Sequence, residues 1–347
     1  IRLFGNSELA LRLPSILSSF FCLISTYLIA LKITSKKTAL ISVFSLSSMP
    51  IWIQYSRYAS PDLPFVLSIL LVILFFLKSI DSSEFIRQNF YIFLSGFFIS
   101  ISFFIRSYMA FVPILGIGPF VFYHLLRKKY SFKIFFCTGI VFGFIPTCLN
   151  LYFSHQKYGI TGITALFDFA KKQVVGEFGF NSFLLIPLKF LYFTFPIGIL
   201  LLILFVFTKS TIKITYPLLI YFYPLLSLTL LLCMSTSYPH YYLFLLPSLS
   251  IIFANYITYN SARYSFSNSA IRYLVFIILL LITSILLFSI FKYTDLVILY
   301  SNGNPLIVYI LISLILLSYL TSLRFLFDIK QIKYNLINFL YNISIPQ

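Results

Sequence analysis

The sequence predicts an all-α polytopic membrane protein. Of its 347 residues, 60% are hydrophobic and only 10% are charged, and the mean hydropathy is +1.00. Soluble domains carry about 25% charged residues, so this chain requires lipid as its solvent. Many of the 26 Tyr and 43 Phe residues stand at the ends of apolar runs, which is typical of the headgroup region. The composition therefore excludes a soluble enzyme or binding domain.

Eleven apolar runs approach the length of about 20 residues that crosses the hydrocarbon core. They are 14–34, 38–55, 62–80, 90–105, 108–126, 132–153, 183–207, 214–233, 241–259, 272–292 and 305–326. The longest polar connection, 154–182, is predicted to form an outer loop with short helices on the membrane surface. The sequence leaves no room for a soluble domain, so residues 1–347 are predicted to form a single transmembrane domain.

The distribution of Lys and Arg predicts the orientation. If the first span runs from outside to inside, 16 of the 25 basic residues lie on the inner side, whereas five of the eight acids lie outside. An excess of Lys and Arg marks the cytoplasmic loops of membrane proteins. The net charge of +17 is therefore explained by membrane orientation, and no nucleic-acid partner is expected.

Six charged residues at or beside span ends lie on the predicted outer side, where the positive-inside bias does not explain them. Four are the arginines Arg2, Arg12, Arg57 and Arg106, and a guanidinium binds phosphate through a planar fork of donors. The other two are the acids Glu8 and Asp62, which could pair with these arginines, bind a metal or assist chemistry. A charged site at the outer boundary of the membrane is the functional interpretation.

Each of these residues also has a structural explanation. Asp62, in "SPD" before an apolar run, suits the start of a helix. Arg57 and Arg106 could extend to the lipid headgroups. Glu8 and Arg12 are four residues apart and could simply pair along one helix face.

Five stretches, in order, resemble membrane glycosyltransferases of the protein mannosyltransferase and aminoarabinose (lipid A) transferase superfamily. They are "LFGNSELALRLPSILSS", "SSMPIWIQYSRYASPDLPF", "SGFFISISFFIRSYMAFVPIL", "GFIPTCLNLYFSHQKYG" and "SYPHYYLFLLPSLSI". In the third, Arg106 stands where the family usually has Lys, and Ser107 where it usually has Gly. The resemblance implies a GT-C bundle of about eleven transmembrane helices with short helices on the outer face.

The resemblance also implies an activity, the transfer of a hexose or pentose from a polyprenyl-phosphate carrier to a lipid, protein or glycan acceptor. The family's acidic pair, which supplies the main catalytic carboxylate, is missing from the sequence. The first helix and its acidic loop are therefore expected to precede residue 1. The expected setting is a bacterial inner membrane, with the active site facing the periplasm.

Site roles follow from the same resemblance. Asp62 is expected to support catalysis, and the donor phosphate is expected to contact Arg57, Arg106 and Arg12. A divalent metal, bound by Glu8 and His240, is an open alternative. The remaining candidates, for the acceptor or the outer loop, are Lys171, Lys172 and Tyr241.

Three other interpretations stay open at the level of the sequence. One is a transporter or flippase of polyprenyl-linked substrates, which predicts polar residues and broken helices at mid-bilayer. Another is a polymerase or ligase of envelope glycans that uses the same class of donor. The third is an inactive relative that binds prenyl phosphates.

Overall fold

The computed structural model describes residues 7–162, 216–232 and 238–261, with isolated residues at 164, 194, 197–198 and 201. Throughout these residues the regular structure is helical, which confirms the all-α prediction. The chain divides into two compact units, one formed by 1–197 with 213–255 and the other by 198–212 with 256–347. The contacts described below lie in the first unit.

Nine α-helices are described in these ranges. They are α1 (Glu8–Ile33), α2 (Lys36–Ser48), α3 (Pro50–Arg57), α4 (Asp62–Asp81), α5 (Phe85–Arg106), α6 (Phe111–Arg127), α7 (Tyr130–Tyr158), α8 (Tyr223–Leu232) and α9 (Leu246–Ser261). A 3₁₀ turn, Ser107–Ala110, joins α5 to α6. A π-helical turn, Leu218–Phe222, precedes α8, and a 3₁₀ segment, Pro239–Leu245, precedes α9.

Helices α1 and α4 run parallel. Near their starts, the Ser15 hydroxyl donates to the Ser60 carbonyl at 3.0 Å and Cys22 Sγ donates to the Leu63 carbonyl at 3.8 Å. At their far ends, Lys32 forms an ion pair with Asp81. The chain must therefore cross back between residues 34 and 61.

The return crossing corrects one predicted span. The run 38–55 was expected to form one helix, but the structure has two short helices, α2 and α3, separated at Met49. Met49 is extended (φ −69°, ψ 126°) because it precedes Pro50, and proline disfavours the helical conformation in the residue before it. The two helices together have 21 residues, or about 31 Å at 1.5 Å per residue, enough to cross the hydrocarbon core.

The helix ends gather into two groups. The arginine end comprises the starts of α1, α4 and α6 and the ends of α3, α5 and α7, and it contains Asp62 and Arg106. The lysine end is the opposite one, where Lys32 pairs with Asp81 and the Tyr216 hydroxyl donates to Asp81 at 3.3 Å. Phe76 of α4 contacts Phe120 of α6 nearer this end, so α6 runs back towards it from the turn at Ser107.

Helices α5 and α7 approach closely through small residues. A Cβ atom added at Gly139 would collide with the Phe93 carbonyl group, and one at Gly143 would collide with the Phe97 carbonyl oxygen. Beside these contacts the Ser100 hydroxyl donates to the Ile140 carbonyl at 2.7 Å. Gly139 and Gly143 are four residues apart, the small-xxx-small pattern by which membrane helices bring their backbones together.

Five described segments are long and apolar enough to cross a membrane: Glu8–Ile33, Asp62–Asp81, Phe85–Arg127, Tyr130–Tyr158 and Pro239–Thr258. The third contains two predicted spans, 90–105 and 108–126, because the chain turns at Ser107–Ala110. Predicted spans 183–207, 272–292 and 305–326 lie outside the described helices, and 214–233 is a shorter apolar helix over Leu218–Leu231. The count of eleven therefore stays a prediction.

Helix α7 is longer than predicted and takes the first residues of the expected outer loop. It ends at Tyr158 because Gly159 adopts φ +62°, and the Gly159 N–H donates to the His155 carbonyl at 2.8 Å. Glycine enters this left-handed region without a steric penalty. The part of the predicted loop from 165 to 182 lies outside the described residues.

Candidate functional site

The centre of the arginine end is an ion pair between Asp62 and Arg106. Asp62 is the first residue of α4 and Arg106 is the last residue of α5. Each charge therefore lies at the helix end whose dipole favours it. The Asp62 side chain is only 7% exposed and that of Arg106 is 23% exposed. Burial of two charges is costly unless they are paired, and the pair satisfies that condition.

A strained turn holds Arg106 in this place. Ser107, the residue after it, has φ +46° and ψ −126°, a conformation that residues other than glycine rarely adopt. The Ser107 N–H still donates to the Phe103 carbonyl to cap α5. Arg106 is thereby fixed at the point where the chain reverses into the 3₁₀ turn, beside the start of α4. Backbone strain of this kind is enriched at functional sites.

The backbone strain at Ser107 gives a testable prediction. Substitution Ser107→Gly is expected to raise the free energy of unfolding by about 1 kcal/mol, because glycine adopts this conformation at no steric cost. The matched control is Ser102→Gly in the same helix, where glycine should destabilise by about 1 kcal/mol. Thermal unfolding of the purified variants in detergent measures both. Equal destabilisation by the two changes would show that the turn at Ser107 is unstrained.

Three ring side chains, those of Tyr55, His240 and Tyr241, lie near Arg106. The His240 ring lies 6.2 Å from the Tyr55 ring and 4.6 Å from the Tyr241 ring, measured between centroids. The guanidinium of Arg106 is within electrostatic range of all three rings. Tyr241 is fully buried and Tyr55 nearly so. The structure therefore brings together four elements: the ends of α3 and α5, the start of α4 and the 3₁₀ segment before α9.

Of the predicted site residues, Asp62, Arg106, His240 and Tyr241 are brought together. Tyr55 also belongs to this group, and the sequence analysis missed it. A signal was present, because Ile51, Trp52 and Tyr55 follow the spacing of one buried helix face. Trp52 is 2% exposed, and within the described part of the chain its indole nitrogen has no hydrogen-bond partner.

Arg57 does not share this face. It lies two residues after Tyr55 in α3, which places it about 200° around the helix axis, and its side chain is exposed. A periodic helix cannot direct both residues into the same site. None of the ion pairs in the described residues joins Arg57 to Asp62 or Arg106. The donor-phosphate role of Arg57 stays a prediction.

Glu8, which is exposed, and Arg12, which is partly exposed, pair with each other along α1. The sequence allowed this arrangement as the structural alternative. Within the ranges that the structure describes, no three His, Cys, Asp or Glu side chains gather closely enough to hold a metal ion. The Glu8 carboxylate is paired with Arg12, and the convergence of Glu8 and His240 on a metal stays a prediction. The metal itself stays a prediction with no ligand set in the described residues.

Lys171 and Lys172 lie outside the described residues. Their predicted role near the acceptor is neither supported nor contradicted by the geometry.

Comparisons with known proteins bear on the same segment. Residues 1–153, which contain both members of the ion pair, match the family model described as dolichyl-phosphate-mannose-protein mannosyltransferase. The fold is similar to that of ArnT from Cupriavidus metallidurans bound to undecaprenyl phosphate, with a TM-score of 0.59 and 15% identity. Residues 1–153 are therefore similar in sequence to protein mannosyltransferases, and the chain is similar in fold to ArnT. The GT-C fold expected from the sequence is thereby confirmed.

The extent of these matches is limited. The ArnT likeness covers 76% of this chain and 48% of ArnT, and the apo ArnT structure gives a TM-score of 0.57 with 47% of ArnT covered. An uncharacterized protein from Aquifex aeolicus (strain VF5) is 34% identical over 146 residues, which are 42% of this chain and 28% of that protein. The chain thus spans less than half the length of the relatives it matches.

Proposed function

We propose that this chain acts in a membrane glycosyltransferase that moves a sugar from a polyprenyl-phosphate carrier to an acceptor. The observation that carries the proposal is the Asp62–Arg106 pair, whose carboxylate is buried and whose two members lie within the segment that matches the mannosyltransferase family model. Ionisable residues buried in membrane proteins are rare and often mark a site for a charged substrate. The phosphate of a lipid-linked donor is such a ligand, and the ArnT structure is described as bound to undecaprenyl phosphate.

Each residue of the pair has a distinct role in this proposal. The Arg106 guanidinium binds the donor phosphate and stabilises the charge that develops on it as the bond to the anomeric carbon breaks. Sugar transfer passes through a transition state with positive charge at the anomeric carbon. The Asp62 carboxylate, beside Arg106, stabilises that positive charge.

The reaction also requires a base. The acceptor hydroxyl or amine attacks the anomeric carbon with inversion, loses its proton to a carboxylate, and polyprenyl phosphate leaves. Asp62 is paired with Arg106 at the start of a buried helix, so we do not assign the base to Asp62.

The outer face of a bacterial inner membrane is the proposed location. Its support is the charge distribution over residues 7–162, where nine Lys and Arg residues lie at the lysine end and only four at the arginine end. The positive-inside rule assigns the lysine end to the cytoplasm. The Asp62–Arg106 pair would then face the periplasm, where a lipid, protein or glycan acceptor receives a hexose or pentose.

The transporter alternative fits the described residues less well. All four recorded ion pairs lie within five residues of a helix end, whereas a transport pathway places charged residues at mid-bilayer. The inactive-relative alternative differs from the proposal only in activity, so the assay below decides between them.

The test is a transfer assay on membranes that contain the full-length protein, supplied with polyprenyl-phosphate-linked sugars and an extract of envelope acceptors. Asp62→Asn is expected to lower the rate about 100-fold. The control is Asp81→Asn, which removes the same charge at the lysine end and should leave the rate unchanged. If wild-type membranes transfer no sugar, or if Asp62→Asn transfers at the wild-type rate, the proposal fails.

A further inference from the structure

The described structure shows Arg106 already bound to an anion, the Asp62 carboxylate. The recorded contact joins one terminal nitrogen of the guanidinium to one carboxylate oxygen. Each side chain carries one unit of opposite charge, so the pair is close to neutral. A phosphate that approaches Arg106 therefore meets a cation whose charge is already compensated.

No other basic residue in the described ranges forms an ion pair with Asp62. The other basic residues at the arginine end are Arg12, which pairs with Glu8, Arg57, which is exposed on the side of α3 away from Tyr55, and Lys157, which is exposed and lies over the Tyr158 ring. A second anion placed beside Asp62 would also be repelled by its carboxylate, and buried charges are poorly screened. Asp62 therefore opposes phosphate binding at Arg106 as long as the two side chains are paired.

We propose that Asp62 and the donor phosphate compete for Arg106. When the donor arrives, the Arg106 guanidinium leaves the Asp62 carboxylate and binds the phosphate, so the carboxylate is released. This inference rests on the proposed function, because it names the regulation of the same site. It goes further because it predicts that Asp62 lowers the affinity of the site for the donor. The carboxylate that assists transfer becomes available only when a donor is bound.

The positions of Asp62 and Arg106 favour a change of partner by Arg106 over a fixed pair. Asp62 is at the first position of α4, where the helix dipole stabilises a carboxylate without help from Arg106. Arg106 is the more exposed member of the pair, and its long side chain can reorient while the Ser107 turn keeps its backbone fixed. The carboxylate therefore has a stabilising environment when the guanidinium leaves, and the guanidinium has the freedom to leave.

If Asp62 competes with the phosphate, its loss changes phosphate affinity in the opposite direction from that expected if it only positions Arg106. If Asp62 only orients Arg106 for the donor, its loss weakens phosphate binding. If Asp62 competes, its loss strengthens binding, although transfer still falls. We expect Asp62→Asn to bind undecaprenyl phosphate about tenfold more tightly than the wild type, since one charge-assisted contact no longer has to be broken.

The experiment measures equilibrium binding of radiolabelled undecaprenyl phosphate to the purified full chain in nanodiscs. The variants are Asp62→Asn, Asp62→Ser, Arg106→Gln and the control Asp81→Asn. Asp62→Ser provides a second uncharged side chain suited to a helix start, in case the Asn variant does not fold. Both Asp62 variants should bind more tightly, Arg106→Gln should lose binding, and Asp81→Asn should match the wild type.

Each other outcome has a distinct meaning. Weaker or unchanged binding by the Asp62 variants, with binding still lost in Arg106→Gln, overturns the competition but leaves the proposed function standing. Absence of binding by the wild type, or binding that does not depend on Arg106, overturns the proposed function and the competition with it.

Discussion

Substitution Arg106→Gln is expected to lower the rate of sugar transfer by about 100-fold or more. The reason is that no cation then stabilises the negative charge that develops on the phosphate in the transition state. The same change leaves the Asp62 carboxylate buried without a partner. Breaking a fully buried ion pair costs about 3–5 kcal/mol, and the partial exposure of Arg106 reduces this. We expect the free energy of unfolding to fall by about 2 kcal/mol, measured by thermal unfolding beside the transfer assay.

A second change separates the loss of activity from the loss of stability. In the double variant Arg106→Gln with Asp62→Asn, no uncompensated carboxylate remains, so the stability should return close to that of the wild type. Transfer should stay absent. Recovery of transfer together with stability would show that Arg106 acts only through the fold.

The conservative change Arg106→Lys provides the matched control for charge. Lysine keeps the cation but offers no planar fork. We expect transfer within about tenfold of the wild type. A loss as complete as that of Arg106→Gln would mean that the guanidinium geometry, not its charge, is what the site requires.

The sequence predicted most of the fold because lipid imposes simple rules. Long apolar runs must become helices, since their backbone groups have no other partners in hydrocarbon, and the predicted starts and ends agree with the described helices to within several residues. The break between α2 and α3 was missed although Pro50 was visible. The run around it was read by hydropathy alone, which does not register the effect of proline on the preceding residue.

The site was predicted in part, for a related reason. Asp62, Arg106, His240 and Tyr241 could be named from their order and their position at span ends, but the partners within that group depend on tertiary packing. Hydropathy placed Arg57 at the correct end of the bundle without its direction around α3. The buried face of that helix, Trp52 and Tyr55, was the sequence feature that would have excluded Arg57 from the centre and included Tyr55.

The packing of α5 against α7 gives the second prediction of large effect. A methyl group at Gly139 would lie 2.9 Å from the Phe93 carbonyl carbon and 3.1 Å from its Cα. These are backbone atoms, so no side-chain rotation relieves the overlap and the two helices must separate. Since α5 carries Arg106 at its end, displacement of this helix would also disturb the pair with Asp62.

We therefore expect Gly139→Ala to lower the free energy of unfolding by about 2–3 kcal/mol, as overpacking does, and to reduce transfer in proportion to the displacement of Arg106. Gly118→Ala in α6 is the control, because a methyl group there meets nothing within 4 Å. Alanine favours a helix over glycine by about 1 kcal/mol, so the control should be neutral or stabilising in the same thermal unfolding measurement. Equal effects at the two glycines would mean that α5 and α7 are not in backbone contact, and that the position of Arg106 depends on the Ser107 turn alone.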